Sequence, residues 1–331
     1  MNDVRKQYKN TLNIIGLTMI IWVVLSNLLA TVYYFVDTLA WKYAIPVAAE
    51  IISSVTYDIV YLSMFMVPAA VFKVLNRGKK LEPMRLGIRF DSIGETLAMI
   101  VGGITCAFAF AYFNSMIVGD VAQSETFFNE PIVYTSDLTL ILQFITIGIV
   151  PAFCEEFLFR GIILSNLMPY GKSTAIMVSS VLFGLMHGNF YQFLYTTVAG
   201  IILGYLYVKT ESIWASTLMH MANNSISILQ TAVFDRLSEE YSGLVWMIFE
   251  CALFMAGIIC IVYLLSKRMK KMDANEEKAN PVFGAPLGER MSKGGSRAIS
   301  ASDAVRCFFV PTIIAFLVYS IINGSAVLSM M

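Results

Sequence analysis

Long runs of apolar residues, separated by short polar segments, make up most of the chain. A transmembrane helix needs about 20 such residues to cross a bilayer. The pattern therefore predicts nine membrane-spanning helices. The predicted spans are residues 11–36, 48–73, 93–118, 138–165, 173–190, 191–209, 212–234, 243–266 and 304–328. We expect an all-α fold, a polytopic transmembrane helix bundle with eight core spans and one C-terminal span.

A polar segment sets the last span apart from the others. Residues 267–303 are first charged and then rich in Gly and Ser ("GERMSKGGSRAISASDA"), a composition typical of a flexible linker. We predict a membrane-embedded bundle over residues 1–266, with its motifs in 135–235, and a flexible cytoplasmic linker over 267–303. Residues 304–331 are predicted to form an additional transmembrane helix outside the main bundle.

Composition and charge placement indicate a multi-pass membrane protein with a cytoplasmic N-terminus. Hydrophobic residues make up 57% of the chain and charged residues 14%, against about 45–50% and about 25% in soluble domains. Lys and Arg cluster in "MNDVRKQYKN", "KVLNRGKKLEPMRLGIRF" and "KRMKK", whereas residues 119–137 contain four acids and no Lys or Arg. Basic loops accumulate on the cytoplasmic side. The net charge of zero gives no sign of nucleic-acid binding.

The segment "CEEFLFR", residues 154–160, places three ionisable groups inside the fourth predicted span. A charged side chain at the centre of a membrane costs about 2.5–3.5 kcal/mol on insertion scales, so these groups require a reason. Glu156 and Arg160 are four residues apart and can pair on one helix face. Glu155 lies about 100° away around the helix axis, so its carboxyl is directed elsewhere.

Both histidines of the chain also lie in predicted spans. His187 stands in "LFGLMHGN", four residues after Phe183, so an aromatic ring can pack beside its imidazole. His220 stands in "ASTLMHMANNSIS", four residues before Asn224. The interior of a bundle can gather these polar side chains with Glu155 into one cavity. There, carboxylate and imidazole can act as general bases, and an amide can donate to an oxyanion.

These segments resemble the motifs of the CAAX prenyl endopeptidase and bacteriocin-processing family (CPBP), also called the abortive-infection family. The family carries EExxxR, FxxxH and HxxxN on successive membrane helices. The motifs stand here as "EEFLFR", "FGLMH" and "HMANN", in order and without substitution. The resemblance implies an intramembrane endopeptidase without a cofactor, in a bacterial cell membrane. It also implies a peptide or lipidated-protein substrate, with membrane lipids as the surroundings.

The resemblance further implies a role for each motif residue. Glu155 would activate a water molecule with the help of His187, and the other two side chains would bind the developing oxyanion. The implied catalytic residues are Glu155, His187, His220 and Asn224. The residues that would support the structure of the site are Glu156, Arg160 and Phe183. The site is expected to open to the cytoplasmic side, near the inner end of the fourth span.

Several alternatives remain open from the sequence. If the chain binds a metal, a zinc ion held by Glu155, His187 and His220 is the set to consider, although the family resemblance favours a metal-independent glutamate mechanism. The five cysteines lie in apolar segments without metal-type spacing. A non-enzymatic membrane scaffold or regulator and a proton-coupled transporter that uses the Glu/His cluster as a relay are the competing functions.

Overall fold

The computed structural model describes residues 2–78, 81–87, 93–118, 136–278 and 299–329, and the elements it contains are helices. We number the helices in chain order and treat the continuous helical segment Asp137–Tyr170 as one. They are α1 Asn2–Tyr43, α2 Pro46–Leu75, α3 Ile93–Val118, α4 Asp137–Tyr170, α5 Lys172–Met186, α6 Phe190–Thr210, α7 Ile213–Arg236, α8 Glu239–Lys278, α9 Ala301–Phe308 and α10 Pro311–Ser329.

The polytopic helical bundle predicted from the sequence is confirmed. Within the described residues, six helices are long and apolar enough to cross a membrane, namely α1, α2, α3, α4, α6 and α8. The number becomes seven if α9 and α10, which meet at an angle of 70°, are counted as one span. The count of nine spans stays a prediction.

Helix α5 is shorter than the span predicted over residues 173–190. Its 15 residues extend about 22 Å at 1.5 Å per residue, which is less than the roughly 30 Å of a hydrocarbon core. The helix stops at Met186 because Gly188 adopts φ +62°, a conformation that favours glycine. The spans predicted from the sequence place His187 and Glu155 at different depths. In the structure α4 continues to Tyr170, so Glu155 lies 15 residues before the end of α4 and His187 lies 15 residues after the start of α5 at Lys172. Both side chains therefore lie at about the same distance from that end of the bundle.

Helix α4 carries the first motif and departs from regular α-helical geometry twice. π-Helical segments run over Phe144–Ile149 and Phe157–Leu164, with the regular segment Val150–Glu156 between them. Pro151 follows the first π-helical segment, where the missing amide hydrogen of proline already weakens the backbone ladder. Such π-bulges occur frequently at functional sites, and here they flank the two glutamates.

Several polar contacts define the end of the bundle at which the N-terminus lies. Arg5 forms an ion pair with Asp303 of α9 at 2.7 Å. The described connection 81–87 lies at the same end, where the amide of Ile213 donates to the carbonyl of Arg85 at 2.9 Å. The phenol of Tyr207 accepts from the amide of Arg85 at 3.2 Å. Residues 119–135, which belong to the predicted acidic loop, lie outside the described residues.

The C-terminal helix is part of the bundle, so the prediction that it lies outside is wrong. Helix α10 packs along α1, and Ile313 and Phe316 are 0% and 1% exposed within the main hydrophobic core. The linker boundary also differs, because α8 continues as a helix to Lys278. The rest of the predicted linker up to residue 298 lies outside the described residues. The pattern of apolar residues shows that α10 is buried in something apolar, but it does not distinguish lipid from protein.

Replacing Gly16 by leucine is expected to separate α1 from α10. A Cβ atom at Gly16 would lie 2.8 Å from the backbone nitrogen of Ile313, and this backbone cannot move aside as a side chain can. Overpacking of this kind costs typically about 1–3 kcal/mol. The melting temperature of the purified variant in detergent should fall. Gly243→Leu is the matched control, because no atom lies within 4 Å of a Cβ there, and its melting temperature should stay near wild type.

Candidate active site

The ion pair between Glu156 and Arg160 lies at the centre of the site. The guanidinium nitrogen Nη1 is 2.9 Å from Glu156 Oε1, and both side chains are 0% exposed. Nη2 donates to the carbonyl of Gly200 in α6 at 3.0 Å, and the guanidinium carbon lies 4.6 Å from the ring centroid of Phe183. The pairing expected from the four-residue spacing is confirmed. It joins α4 to α5 and α6 through one buried cation.

His220 lies between the two glutamates. Its Nδ1 is 3.1 Å from Glu156 Oε1, and its Nε2 is 3.7 Å from Glu155 Oε2. An ionised carboxylate can only accept a hydrogen bond, so Nδ1 carries the hydrogen in the contact with Glu156. The paired glutamate therefore orients the imidazole, and the other ring nitrogen faces the second glutamate. The sequence predicted that Glu155 points away from Arg160, and the structure directs it to His220.

His187 is fixed by the end of α5. Its backbone amide bonds to the carbonyl of Gly184 at 3.2 Å, and the carbonyl of Phe183 accepts from the ring Nδ1 at 2.9 Å. The Phe183 ring contacts the His187 ring edge-on, with 5.1 Å between centroids, so the predicted packing of the pair is confirmed. Asn323 of α10 donates to the carbonyl of Gly188 at 3.1 Å. The C-terminal helix therefore supports the turn that carries His187.

Phe183 joins the two imidazoles into one cluster. Its ring lies 5.8 Å from that of His220 and 5.2 Å from that of Phe159, measured between centroids, and both contacts are edge-on. Glu155 joins this cluster through His220. The structure thus brings side chains of all three motifs together through Phe183 and His220, although Glu155 is not among the described residues that line the cavity beside them.

Asn224 contacts α4 at the first π-helical segment. Its side-chain Nδ2 donates to the carbonyl of Ile147 at 3.2 Å. Pro151 has no amide hydrogen, so it cannot donate to this carbonyl from four residues further on. The asparagine amide takes the place of that donor, and it has a second hydrogen that can serve a bound carbonyl group. The contact with Ile147 was not foreseen from the sequence.

The contact between Asn224 and Ile147 predicts energetic coupling with Pro151. In the native sequence Asn224→Ala should lower the free energy of unfolding by about 0.5–1.5 kcal/mol, the net contribution typical of a hydrogen bond, because the contact is only partly buried. In a Pro151→Ala background the new amide can donate to Ile147, and the same substitution should cost at least about 0.5 kcal/mol less. Unfolding of the four proteins in SDS and detergent mixtures measures this difference.

Asn223 provides the control for this cycle. It is the neighbouring asparagine, and its amide donates to the hydroxyl of Tyr195 at 3.0 Å instead. Asn223→Ala should therefore cost the same with and without Pro151. Equal costs for Asn224→Ala in the two backgrounds would show that the missing amide of Pro151 is not the reason for the contact.

A cavity of about 360 Å³ lies beside the two imidazoles. It is bounded by α3, the end of α5, α6 and α7, and its described wall includes no Lys, Arg, Asp or Glu side chain. His220 is the described side chain that connects this wall with the Glu155 carboxyl. The polar wall residues besides the two histidines are Gln192, Tyr195, Thr196, Asn223, Asn224, Ser227 and Gln230.

The cavity extends toward the end of the bundle that lies opposite the N-terminus. Its wall uses residues 192–203 of α6 and 219–230 of α7, whereas the end of α6 and the start of α7 adjoin the connection 81–87 at the N-terminal end. Arg236 and Asp137 pair at the opposite end at 2.7 Å. Glu155 lies near the middle of α4. The opening expected near the inner end of the fourth span stays a prediction.

The remaining acids of the spans have local partners or lie apart from the cavity. Glu95 pairs with Lys267, and Glu250 accepts from Tyr112. Among the described residues, no group of three or more His, Cys, Asp or Glu side chains is placed to hold a metal ion. The set considered for zinc, Glu155 with His187 and His220, is thus not assembled as a ligand group.

The three-motif pattern also missed a residue that contacts the site. Tyr61 of α2 donates its hydroxyl to Glu155 Oε1 at 2.5 Å, and α2 contains none of the three motifs. The available signal was the spacing of aromatic residues at positions 57, 61 and 65 of an apolar span. Such spacing is equally typical of ordinary packing, so it does not point to an active site by itself.

Comparison with known proteins agrees with the motif region. Residues 137–226, from the start of α4 to the middle of α7, match the family described as "Type II CAAX prenyl endopeptidase Rce1-like". The chain is also 30% identical over 173 residues to the "Putative membrane peptidase YdiL" of Bacillus subtilis (strain 168), which covers 49% of this chain and 67% of that protein. No solved structure matches the chain significantly.

Proposed function

The chain belongs to the CAAX prenyl endopeptidase and bacteriocin-processing family of membrane peptidases, and on that premise we propose that it hydrolyses a peptide bond with a water molecule activated by Glu155. The observation that carries this proposal is the placement of the Glu155 carboxyl 3.7 Å from His220 Nε2. That imidazole forms part of the wall of a polar cavity. A carboxylate with an oriented imidazole and a space for substrate is the arrangement that general-base hydrolysis requires.

The proposed reaction assigns one task to each group. Glu155 takes a proton from the water molecule while the oxygen of the water attacks the carbonyl carbon of the substrate. Glu155 then returns this proton to the nitrogen of the leaving amine as the C–N bond breaks. Asn224 donates to the carbonyl oxygen as negative charge develops on it, and His220 donates from Nε2 in its imidazolium form, in which Nδ1 keeps its hydrogen bond to Glu156. Glu156 and Arg160 do not take part in proton transfer, because their charges compensate each other in a fully buried pair.

The chemistry of the cavity wall supports a peptide as the substrate. The wall presents the amides of Gln192, Asn223, Asn224 and Gln230. Amides both donate and accept, so they can bind the N–H and C=O groups of an extended peptide backbone. The described wall contains no Lys, Arg, Asp or Glu side chain, which favours an uncharged segment of substrate at this position. A membrane-associated protein, lipidated or not, or a small peptide fits this description.

Cleavage of defined peptides tests the proposal. Purified wild type in liposomes is incubated with two internally quenched peptides of one sequence, of which one ends in a farnesylated Cys-Val-Ile-Met and the other lacks the lipid. We expect cleavage of at least one, and the farnesylated peptide should react faster if the lipid is recognised. Activity should persist with 1,10-phenanthroline. Loss of activity with the chelator would contradict the metal-independent mechanism and indicate a metal-dependent one. If wild type cleaves neither peptide, the peptidase assignment for CAAX-type substrates is contradicted.

A further inference from the structure

Stacking between aromatic rings holds the side chain of Tyr61 in place beside the site. Its ring stacks on that of Tyr57 with 5.5 Å between centroids and on that of Phe65 with 5.1 Å. Phe65 is fully buried and also contacts the ring of Trp22 in α1, at 6.0 Å. Residues four apart on a helix lie one above another, so the stack follows directly from the sequence spacing. The phenol hydroxyl therefore has little freedom to move.

The hydroxyl of Tyr61 gives the two oxygens of the Glu155 carboxyl different surroundings. Oε1 accepts the hydrogen bond from Tyr61 at 2.5 Å. Oε2 is buried and has no hydrogen-bond partner in the described part of the chain, and it is the oxygen that faces His220 at 3.7 Å. A buried carboxylate oxygen without a partner is costly. This oxygen is therefore the one suited to take a proton.

We propose that Tyr61 is a positioning residue, which holds Oε1 of Glu155 so that Oε2 is directed toward His220 and the attacking water molecule. The inference rests on the proposed function, since it assigns an orientation to the general base. In the reaction Oε2 takes the proton of the water molecule, and the phenol of Tyr61 keeps its own hydrogen throughout. The family motifs, which lie on α4, α5 and α7, do not contain this residue.

The variant Tyr61→Phe tests the role of the hydroxyl alone. Phenylalanine keeps the stacked ring, so the melting temperature should stay close to wild type. The kcat for the cleaved quenched peptide should fall about 10- to 100-fold, which corresponds to the loss of a hydrogen bond to a charged group. The KM should change little, because Tyr61 does not belong to the cavity wall. Tyr112→Phe is the matched control, since Tyr112 donates to Glu250 in the same way but away from the site.

A chemical probe separates positioning from general packing. Dicyclohexylcarbodiimide reacts with carboxyl groups in apolar surroundings, and mass spectrometry of the digested protein reports its attachment to Glu155. Labelling of Glu155 should be faster in Tyr61→Phe than in wild type, because Oε1 is no longer covered by the hydroxyl. Tyr112→Phe should label like wild type at this position.

The outcomes distinguish this inference from the proposed function. If Glu155→Gln is inactive while Tyr61→Phe retains the wild-type kcat, the role of Tyr61 is overturned and the peptidase assignment stands. If Tyr61→Phe lowers kcat but leaves the labelling of Glu155 unchanged, the positioning role is also overturned, because the substitution then lowers kcat by a route other than the Glu155 carboxyl. If Glu155→Gln cleaves as fast as wild type, the proposed function itself is contradicted.

Discussion

Replacing Glu155 by glutamine is expected to lower kcat for peptide cleavage by at least about 10²- to 10⁴-fold, the contribution typical of a general base. Glutamine has nearly the same shape and can still accept from Tyr61, but it cannot take a proton from water. The side chain of Glu155 is only 4% exposed, so a base from the bulk solvent cannot easily reach the site and replace it. The rate of cleavage of the quenched peptide by purified protein gives kcat and KM separately.

The folded structure should not suffer from this substitution. The contacts of Glu155 with Tyr61 and His220 do not involve the central ion pair, and expression and melting temperature should be near wild type. Glu250→Gln is the matched control, because Glu250 also lies in a long helix and accepts from a tyrosine. Its activity should be unchanged. A correctly folded Glu155→Gln protein with wild-type kcat would contradict the assigned mechanism.

Replacing Arg160 by alanine should destabilise the protein by about 3–5 kcal/mol, the usual cost of removing one partner from a buried ion pair. The change leaves the Glu156 carboxylate buried without its cation and empties the space against the Phe183 ring. It also removes the donor to the Gly200 carbonyl. The free energy of unfolding in SDS and detergent mixtures measures the loss, and the yield of folded protein should fall with it.

Two further variants make this prediction specific. Arg236→Ala breaks an ion pair with Asp137 in which both side chains are largely exposed, and such pairs contribute only about 0–1 kcal/mol. Arg160→Lys keeps the charge but loses the planar fork that contacts both Glu156 and Gly200, so it should recover part of the stability. Equal unfolding free energies for Arg160→Ala and Arg236→Ala would show that the central pair does not hold the bundle together.

The parts of the site that depend on spacing along one helix could be predicted from the sequence. Glu156 and Arg160, and likewise Phe183 and His187, are four residues apart, and regular helical geometry brings each pair into contact. The ordered motifs also predicted that these pairs and His220 meet in one cluster. Helical periodicity and composition were likewise sufficient for the membrane bundle as a whole.

Contacts between helices could not be predicted in the same way. The hydrogen bonds from Tyr61 to Glu155 and from Asn224 to Ile147 depend on how α2 and α7 lie against α4, and no single helix determines this. The π-helical segments beside the glutamates add residues to the turn without a clear signal in the sequence. Hydropathy likewise cannot show whether α10 faces lipid or the core, which is why its burial against α1 was missed.

The side on which the cavity opens also depends on packing. The prediction of a cytoplasmic opening rested on two features of the sequence. The basic loops indicate the cytoplasmic side, and the first motif lies near the inner end of the fourth predicted span. The structure bounds the cavity by residues 107–111 of α3, the end of α5, residues 192–203 of α6 and residues 219–230 of α7. Because α4 continues to Tyr170, Glu155 lies as many residues from the N-terminal end of the bundle as His187 does along α5.

The central claim is that the cluster of Glu155, His187 and His220 hydrolyses peptide bonds in a membrane. Quantitative mass spectrometry of peptides released from membranes that contain equal amounts of wild type, Glu155→Gln or Glu250→Gln tests it most directly. The account predicts a set of peptides with new ends that wild type and Glu250→Gln release and Glu155→Gln does not. Identical peptides from all three membranes would contradict it and would favour a membrane scaffold without peptidase activity.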